Sequence, residues 1–274
     1  MTTRWSLPYG ENAAMQVRSL GFRTDLMLRR LGGSLIEERD GYLVVRTPDN
    51  PTFYWGNFLL FGQPPGANAA AGWLDVFTAE FPDAGHVAIG VDGTDGRTGD
   101  VEPLLAAGLE VEVNHVLTAT ALTAGPPPPE DVVARPLAAD DDWVQTAELR
   151  LLLDDDRSNA HREFVERKLA ETRRLVETGH GAYFGAFRGD AVVASLGIVV
   201  DDDVARYQNV ETHPLHRRRG LASMLLRAAA AYAVDELGAR TLVIVADPDY
   251  VAIDLYRALG FTDAERQIQL QRAG

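Results

Sequence analysis

The sequence predicts an α/β (α+β) fold in two parts, each a mixed central sheet flanked by helices. Three observations carry the prediction. In the second half, apolar runs that read as strands alternate with amphipathic stretches, in the order strands, then strand–helix–strand–helix–strand. A proline run, Gly125-Pro126-Pro127-Pro128-Pro129-Glu130, forms an extended spacer that neither a helix nor a central strand accommodates. Finally, Pro103-Leu104-Leu105-Ala106-Ala107-Gly108-Leu109 lies over Leu255-Tyr256-Arg257-Ala258-Leu259-Gly260-Phe261, each preceded by an apolar strand, 86–91 or 241–246. That match suggests an internal duplication with a period near half the chain. The domain reading is 1–124, a spacer at 125–130, and 131–274.

The elements of the second half follow from periodicity. Residues 132–135 read as a short strand, and 140–153 and 160–178 as helices. Residues 181–188 and 191–201 read as strands joined at Gly189-Asp190, a good hairpin turn. Residues 204–212 form a third strand. A helix is expected over 221–237, because Leu221, Leu225, Ala228 and Tyr232 fall three or four apart, with Gly238 as its stop. Residues 241–246 are unbroken apolar sequence, as in a strand buried on both faces. A helix over 250–259 ends at Gly260, and 264–270 forms a last strand.

Composition narrows the function. The 274 residues are 46% hydrophobic and 24% charged, and the formal net charge is −14. Nucleic-acid binding needs clustered cations, so an acidic chain argues against it, and against an anionic membrane surface. There is no cysteine, which removes disulfides, thiolate nucleophiles and Cys-ligated metals. Residues 1–9 contain no apolar signal-like stretch and no run has the length of a membrane span, so a cytoplasmic location is expected.

The segment that carries chemistry is Val210-Glu211-Thr212-His213-Pro214-Leu215-His216-Arg217-Arg218-Arg219-Gly220-Leu221-Ala222. An apolar strand ends, Pro214 blocks its continuation, and a helix starts near Gly220. A helix start exposes unpaired N–H groups and the positive end of the dipole. Gly220 admits close approach of a ligand to backbone, and three arginines add charge. Together these suit a pyrophosphate. A P-loop and a Rossmann turn are both ruled out by their missing glycine and lysine patterns.

Arg217-Arg218-Arg219-Gly220-Leu221-Ala222 resembles the Arg/Gln-x-x-Gly-x-Gly/Ala motif of the GNAT-type N-acetyltransferase superfamily. Residues Asp249-Tyr250-Val251-Ala252-Ile253-Asp254-Leu255-Tyr256-Arg257-Ala258-Leu259-Gly260-Phe261 look like its second motif, Asn-x-x-Ala-x-x-Leu-Tyr-x-x-x-Gly-Phe, at the right separation. The resemblance covers roughly 132–270 and implies two such domains, with acetyl-CoA as acyl-donor cosubstrate and no metal. It implies that the backbone of Val210, Glu211 and Thr212 pairs with the pantetheine arm. It also implies that Arg217, Arg218, Arg219, Gly220, Leu221, Ala222 and Ser223 hold the pyrophosphate. Asp249 stands where the family usually has Asn; a carboxylate accepts but does not donate unless protonated. Tyr256 matches the family's frequent general acid. From the residues alone, Tyr256 reads equally as a core aromatic. For the base, Glu211 is the nearest carboxylate to the strand end, and His213 is a second option.

The first half resembles a degenerate copy. Residues 52–61 read as the strand before its loop, Gly62-Gln63-Pro64-Pro65-Gly66, which lacks the motif arginine, and Leu104 takes the place of Tyr256. This half is expected to have lost the cofactor. Its aromatic cluster, Phe53, Tyr54, Trp55 and Phe58, reads as core and domain interface, or alternatively as the wall of a substrate cleft. Two function classes remain: an acyl-CoA-dependent N-acyltransferase acting on a small-molecule or peptide amine, and an acyl-CoA sensor without turnover.

Overall fold

The computed structural model describes residues 15–273. The 1–9 segment read above lies outside the described residues. The chain divides into two compact units: one holds residues up to Val116 and from Ala264 onward, the other Leu117–Asp263. The proline run therefore lies inside the second unit.

The first unit contains α1 (Leu20–Leu31), β1 (Leu35–Arg39), β2 (Tyr42–Arg46), β3 (Phe58–Phe61), α2 (Trp73–Glu80), β4 (Val87–Val91), α3 (Glu102–Ala106) and most of β5 (Glu110–Ala119). The second contains β6 (Val133–Pro136), α4 (Asp140–Leu153), α5 (Asn159–Glu177), β7 (Gly181–Arg188), β8 (Ala191–Asp201), β9 (Val204–Thr212), α6 (Leu221–Ala231), β10 (Thr241–Ala246) and α7 (Ala252–Ala258). The last strand, β11 (Thr262–Arg272), pairs antiparallel with β4, from Ile268↔Val91 to Arg272↔Val87. Strand order in the first unit is β1-β2-β3-β4-β11-β5. In the second it is β10-β9-β8-β7-β6.

Side chains alternate across each sheet, and each face finds a helix. In the first unit Leu59, Ile89 and Leu270 pack with Phe77 and Leu104 on one face. Leu43, Val45, Phe58 and Leu60 pack around Phe22 of α1 on the other. In the second unit α6 lays Leu221, Leu225, Leu226 and Ala229 against Leu196, Ile198, Tyr207 and Ile244. α4 and α5 cover the opposite face through Trp143, Leu149 and Leu169 against Tyr183 and Phe187. Leu225 and Leu226 are fully buried; truncating either to Ala costs about 2–5 kcal/mol.

Three expectations are corrected. Residues 52–61 are not one strand: Tyr54–Gly56 is a 3-10 turn and the strand begins at Phe58. The Asn57 amide donates to the carbonyls of Asn50 (3.0 Å) and Phe53 (2.9 Å), folding the segment back on itself. The helix after β9 is α-helical only to Ala231 and ends in a π turn, Tyr232–Glu236. The helix expected from residue 250 begins at Ala252, because a turn from Asp247 to Tyr250 (N–H to carbonyl, 3.2 Å) occupies the residues before it. The aromatic cluster serves as packing in the first unit. Phe58 is core, Tyr54 stacks on His86 at 4.3 Å, and Trp55 donates to Gln271 at 2.8 Å.

At the start of α4, Asp142 accepts from the amides of Ala138 (2.8 Å) and Ala139 (3.1 Å) and from Arg135 (2.7 and 2.9 Å). The Arg135 hydrogen bond, joined by those amides, holds its carboxyl far below the usual range. A carboxyl depressed in the folded state stabilises above its unfolded pKa, and that contribution disappears as pH falls through the folded value. Asp142→Asn is therefore expected to lower stability by about 1–3 kcal/mol at pH 7. Denaturant melts at pH 7 and pH 3 check this: the gap between variant and wild type narrows at the lower pH.

Candidate functional site

β9 and β10 run parallel but pair only at Thr241↔Val204, Leu242↔Ala205 and Val243↔Arg206. Past Arg206 they part. The other edge of β9 stays bonded to β8 as far as Ala194↔Thr212. From Tyr207 to Thr212 the edge facing β10 thus offers backbone donors and acceptors with no partner strand among the described residues.

A bulge resets the alternation along this edge. Ser195 faces Glu211 and Gly197 faces Gln208, so Asn209 and Val210 both lie opposite Leu196, and Asn209 takes φ 50°. Tyr207 and Val210, an odd number of residues apart, consequently both pack on the α6 side. Glu211 turns to the α4 side.

After β9, a short 3-10 turn, Pro214–His216, leads to extended Arg217, left-handed Arg218 (φ 60°) and left-handed Gly220 (φ 77°), where α6 starts. No backbone acceptor meets the amides of Arg218, Arg219 and Gly220 among the described residues. No side chain caps α6, and its first turn (Leu221, Ala222, Ser223) holds no acid. A Cβ on Gly220 would meet nothing within 4 Å. A positive, uncapped helix start with open space before it fits a pyrophosphate, and the free β9 edge fits the amides of a pantetheine arm.

The arginines are not equivalent. Arg219 pairs with Asp131 at 2.6 Å, and Asp131 also holds Arg188 at 2.9 Å. The Arg219 hydrogen bond keeps the Asp131 carboxyl below its ordinary range. Arg217 Nε donates to the Thr212 carbonyl at 3.3 Å, bracing the loop. His213 accepts from the Leu215 amide through Nδ1 at 3.2 Å, so that nitrogen is engaged within the turn.

The loop after β10 leaves the same end of a parallel pair as the loop after β9, where crevices form in such sheets. Its Asp249 donates its amide to Asp247 Oδ1 at 2.8 Å. Tyr256 on α7 is 6% exposed, with its ring edge-on to Phe261 at 6.3 Å. Burial, with a smaller contribution from Tyr250, pushes its phenol up to about 12, so it carries its proton throughout the neutral range.

Glu211 lies in a buried polar group whose other members the sequence did not reveal. Arg150 Nε donates to its Oε1 at 2.8 Å, and Ser195 Oγ donates to Oε2 at 3.4 Å. Arg150 and Glu211 side chains are 9% and 14% exposed. Burial pushes the Glu211 carboxyl up, while Arg150 and Ser195 pull it back. Tyr183, fully buried beside them, has no hydrogen-bond partner of ordinary geometry among the described residues. One signal for Arg150 was present: it continues the buried stripe Trp143, Thr146, Arg150 on α4, and a charge on a buried stripe needs a partner.

The corresponding region of the first unit differs on each point. β3 and β4 stay paired to their ends, through Phe61↔Val91 and the Asp92 amide on the Phe61 carbonyl at 2.8 Å. Asp100 accepts from the Asn68 amide at 3.2 Å, setting a carboxylate just before the turn that leads into α2. Leu104 is fully buried.

Residues 146–261 match the model of the acetyltransferase (GNAT) family. No curated protein matches the chain in sequence. Among solved structures, it is similar to a functionally unknown conserved protein from Staphylococcus epidermidis ATCC 12228, with TM-score 0.69, 12% identity and coverage of 88% of this chain and 95% of that one. A GCN5-related N-acetyltransferase from Kribbella flavida gives TM-score 0.65 at 15% identity, covering 97% of each chain. A tandem GNAT protein from the clavulanic acid biosynthesis pathway gives 0.52 at 15% identity, covering 90% of this chain and 87% of that one. At such identities the likeness is one of fold. The family and fold support acyl-CoA-dependent acetyl transfer in general. No helix among the described residues is long and apolar enough to cross a membrane.

Proposed function

We propose that the protein is an acyl-CoA-dependent N-acetyltransferase that transfers an acetyl group to an amine by direct attack in a ternary complex. The observation that carries this is the unpaired β9 edge beyond Arg206, continuous in sequence with the uncapped start of α6. Acetyl-CoA supplies an activated acyl group on a thiol of ordinary acidity. Backbone of Val210, Glu211 and Thr212 binds its arm, and the amides from Arg218 to Ser223 bind its pyrophosphate. Arg217 braces the loop and Arg219 is held by Asp131, which leaves the Arg218 side chain and the amides as the principal anion contacts. Asp249 lines the arm as an acceptor only.

Glu211 takes the proton released by the amine, at Oε2, the oxygen Arg150 leaves free. Tyr256 donates its phenolic proton toward the departing sulfur. The first unit is a partner domain without a cofactor site, a reading supported by its unparted strands and by Asp100 on the Asn68 amide.

Release of free CoA on mixing with acetyl-CoA and a panel of polyamines, amino acids, aminoglycosides and lysine or N-terminal peptides tests the proposal. Amine-dependent release with one acetylated product supports it. Tight acetyl-CoA binding with no turnover across the panel would instead make the chain an acyl-CoA sensor.

A further inference from the structure

The sequence separates Arg150 and Glu211 by 61 positions, yet they form a buried ion pair between α4 and β9. We propose that Arg150 is a positioning residue: it fixes the Glu211 carboxylate by Oε1 and leaves Oε2 as the oxygen that receives the acceptor's proton. The inference rests on the reading of Glu211 as base.

The geometry assigns the two oxygens different tasks. Oε1 takes the Arg150 Nε–H at 2.8 Å, a charge-assisted bond that defines the rotamer. Among the described residues Oε2 has only the 3.4 Å approach of Ser195 Oγ, a weak contact that an incoming ammonium N–H displaces without breaking the pair. The bulge at Asn209 and Val210 is what aims Glu211 at α4; with regular alternation from Tyr207, Glu211 would share the α6 side.

The partners of Glu211 come from every element around it. α4 contributes Arg150 and, just past its end, Asp154, whose Oδ2 meets His161 Nε2 of α5 at 2.9 Å. β8 contributes Ser195 and β7 contributes Tyr183, which in turn faces Asn209 of the β9 bulge. Among the described residues, Arg150 is the one cation that faces the carboxylate directly. An isolated carboxylate so buried would retain its proton at neutral pH and accept none. The guanidinium in contact opposes that upward push of burial, and its 2.8 Å bond also holds the carboxylate still.

Two readouts test this. One is the ¹³C resonance of the Glu211 carboxyl through a pH titration, assigned with Glu211→Gln, which needs no acceptor. The other is the pH profile of kcat/KM with the amine that gives fastest CoA release. Arg150→Gln, which keeps length and a donor but not charge, is expected to raise the Glu211 titration midpoint by more than one pH unit. The acid limb of kcat/KM should move with it, while the KM for acetyl-CoA stays within about twofold. Arg150→Lys restores the midpoint and lowers kcat about 10-fold, because charge returns without the fork geometry. Should Arg150→Gln not melt cooperatively, Arg150→Lys decides alone: unchanged kcat overturns the proposal. Glu211→Gln with wild-type turnover would overturn the base reading itself. Loss of turnover in Glu211→Gln with an unmoved midpoint and acid limb in Arg150→Gln would overturn only the positioning role, leaving Arg150 as a packing ion pair.

Discussion

Gly220→Asp is expected to abolish acetyl-CoA binding while leaving the fold intact. The position is left-handed, φ 77°, and an added Cβ meets no protein atom within 4 Å. Asp is among the side chains that tolerate this region, so the substitution costs about 1–2 kcal/mol of backbone strain at most. The new carboxylate would occupy the space in front of the Arg218, Arg219 and Gly220 amides and repel a pyrophosphate there. Two like charges about 4–5 Å apart at the intermediate dielectric of a protein surface repel by roughly 3–4 kcal/mol, a loss of about 100-fold or more. Gly220→Asn separates charge from shape: it has the same backbone tolerance and size without the charge, and should lose far less. Calorimetry with acetyl-CoA, beside melting curves of both variants, reads the result. Equal losses in the two variants would assign the effect to bulk alone.

Tyr256→Phe is expected to lower kcat by about 100-fold with the KM for acetyl-CoA nearly unchanged. An interaction used only in the transition state appears in kcat and not in ground-state affinity. General acids typically contribute about 10²- to 10⁴-fold. The low end applies because a phenol raised to about 12 is a weaker acid than the thiol it serves. In the proposed role complete transfer would therefore be uphill, and the hydroxyl would act mainly as a donor to sulfur as negative charge develops. The ring that packs on Phe261 is retained, so stability should hold. Because the phenol is protonated across neutral pH, the variant should keep the shape of the pH profile. Wild-type kcat, measured where chemistry limits the rate, would return Tyr256 to the role of a core aromatic.

Much of the second unit was legible because its signals are local. The hairpin at Gly189-Asp190, the strand 204–212 and the stop at Pro214 are each written within a few residues. The stripe Leu221, Leu225 likewise gave α6 its buried face. What escaped depends on specific side-chain hydrogen bonds or on partners distant in sequence. Asn57 folds residues 50–57 through its own amide, which overrides an aromatic run of high strand propensity. The last strand was evident as a strand, but periodicity does not name its neighbour, and β11 joins β4 in the first unit. The same holds at the site. The Gly220 motif is visible as a string, whereas the free β9 edge exists only because β10 diverges after Val243. The bulge at Asn209 decides which way Glu211 faces, and no residue type there announces it. Arg150 was not singled out in the sequence, because its partner on β9 lies 61 positions away.

The measurement closest to the central claim is the stoichiometry of acetyl-CoA binding to the whole chain. If the parted β9–β10 pair and the α6 start form the cofactor site, and the closed β3–β4 pair with Asp100 beside the Asn68 amide does not, calorimetric titration gives one site per chain. Two equivalent sites per chain, or none, would contradict the account.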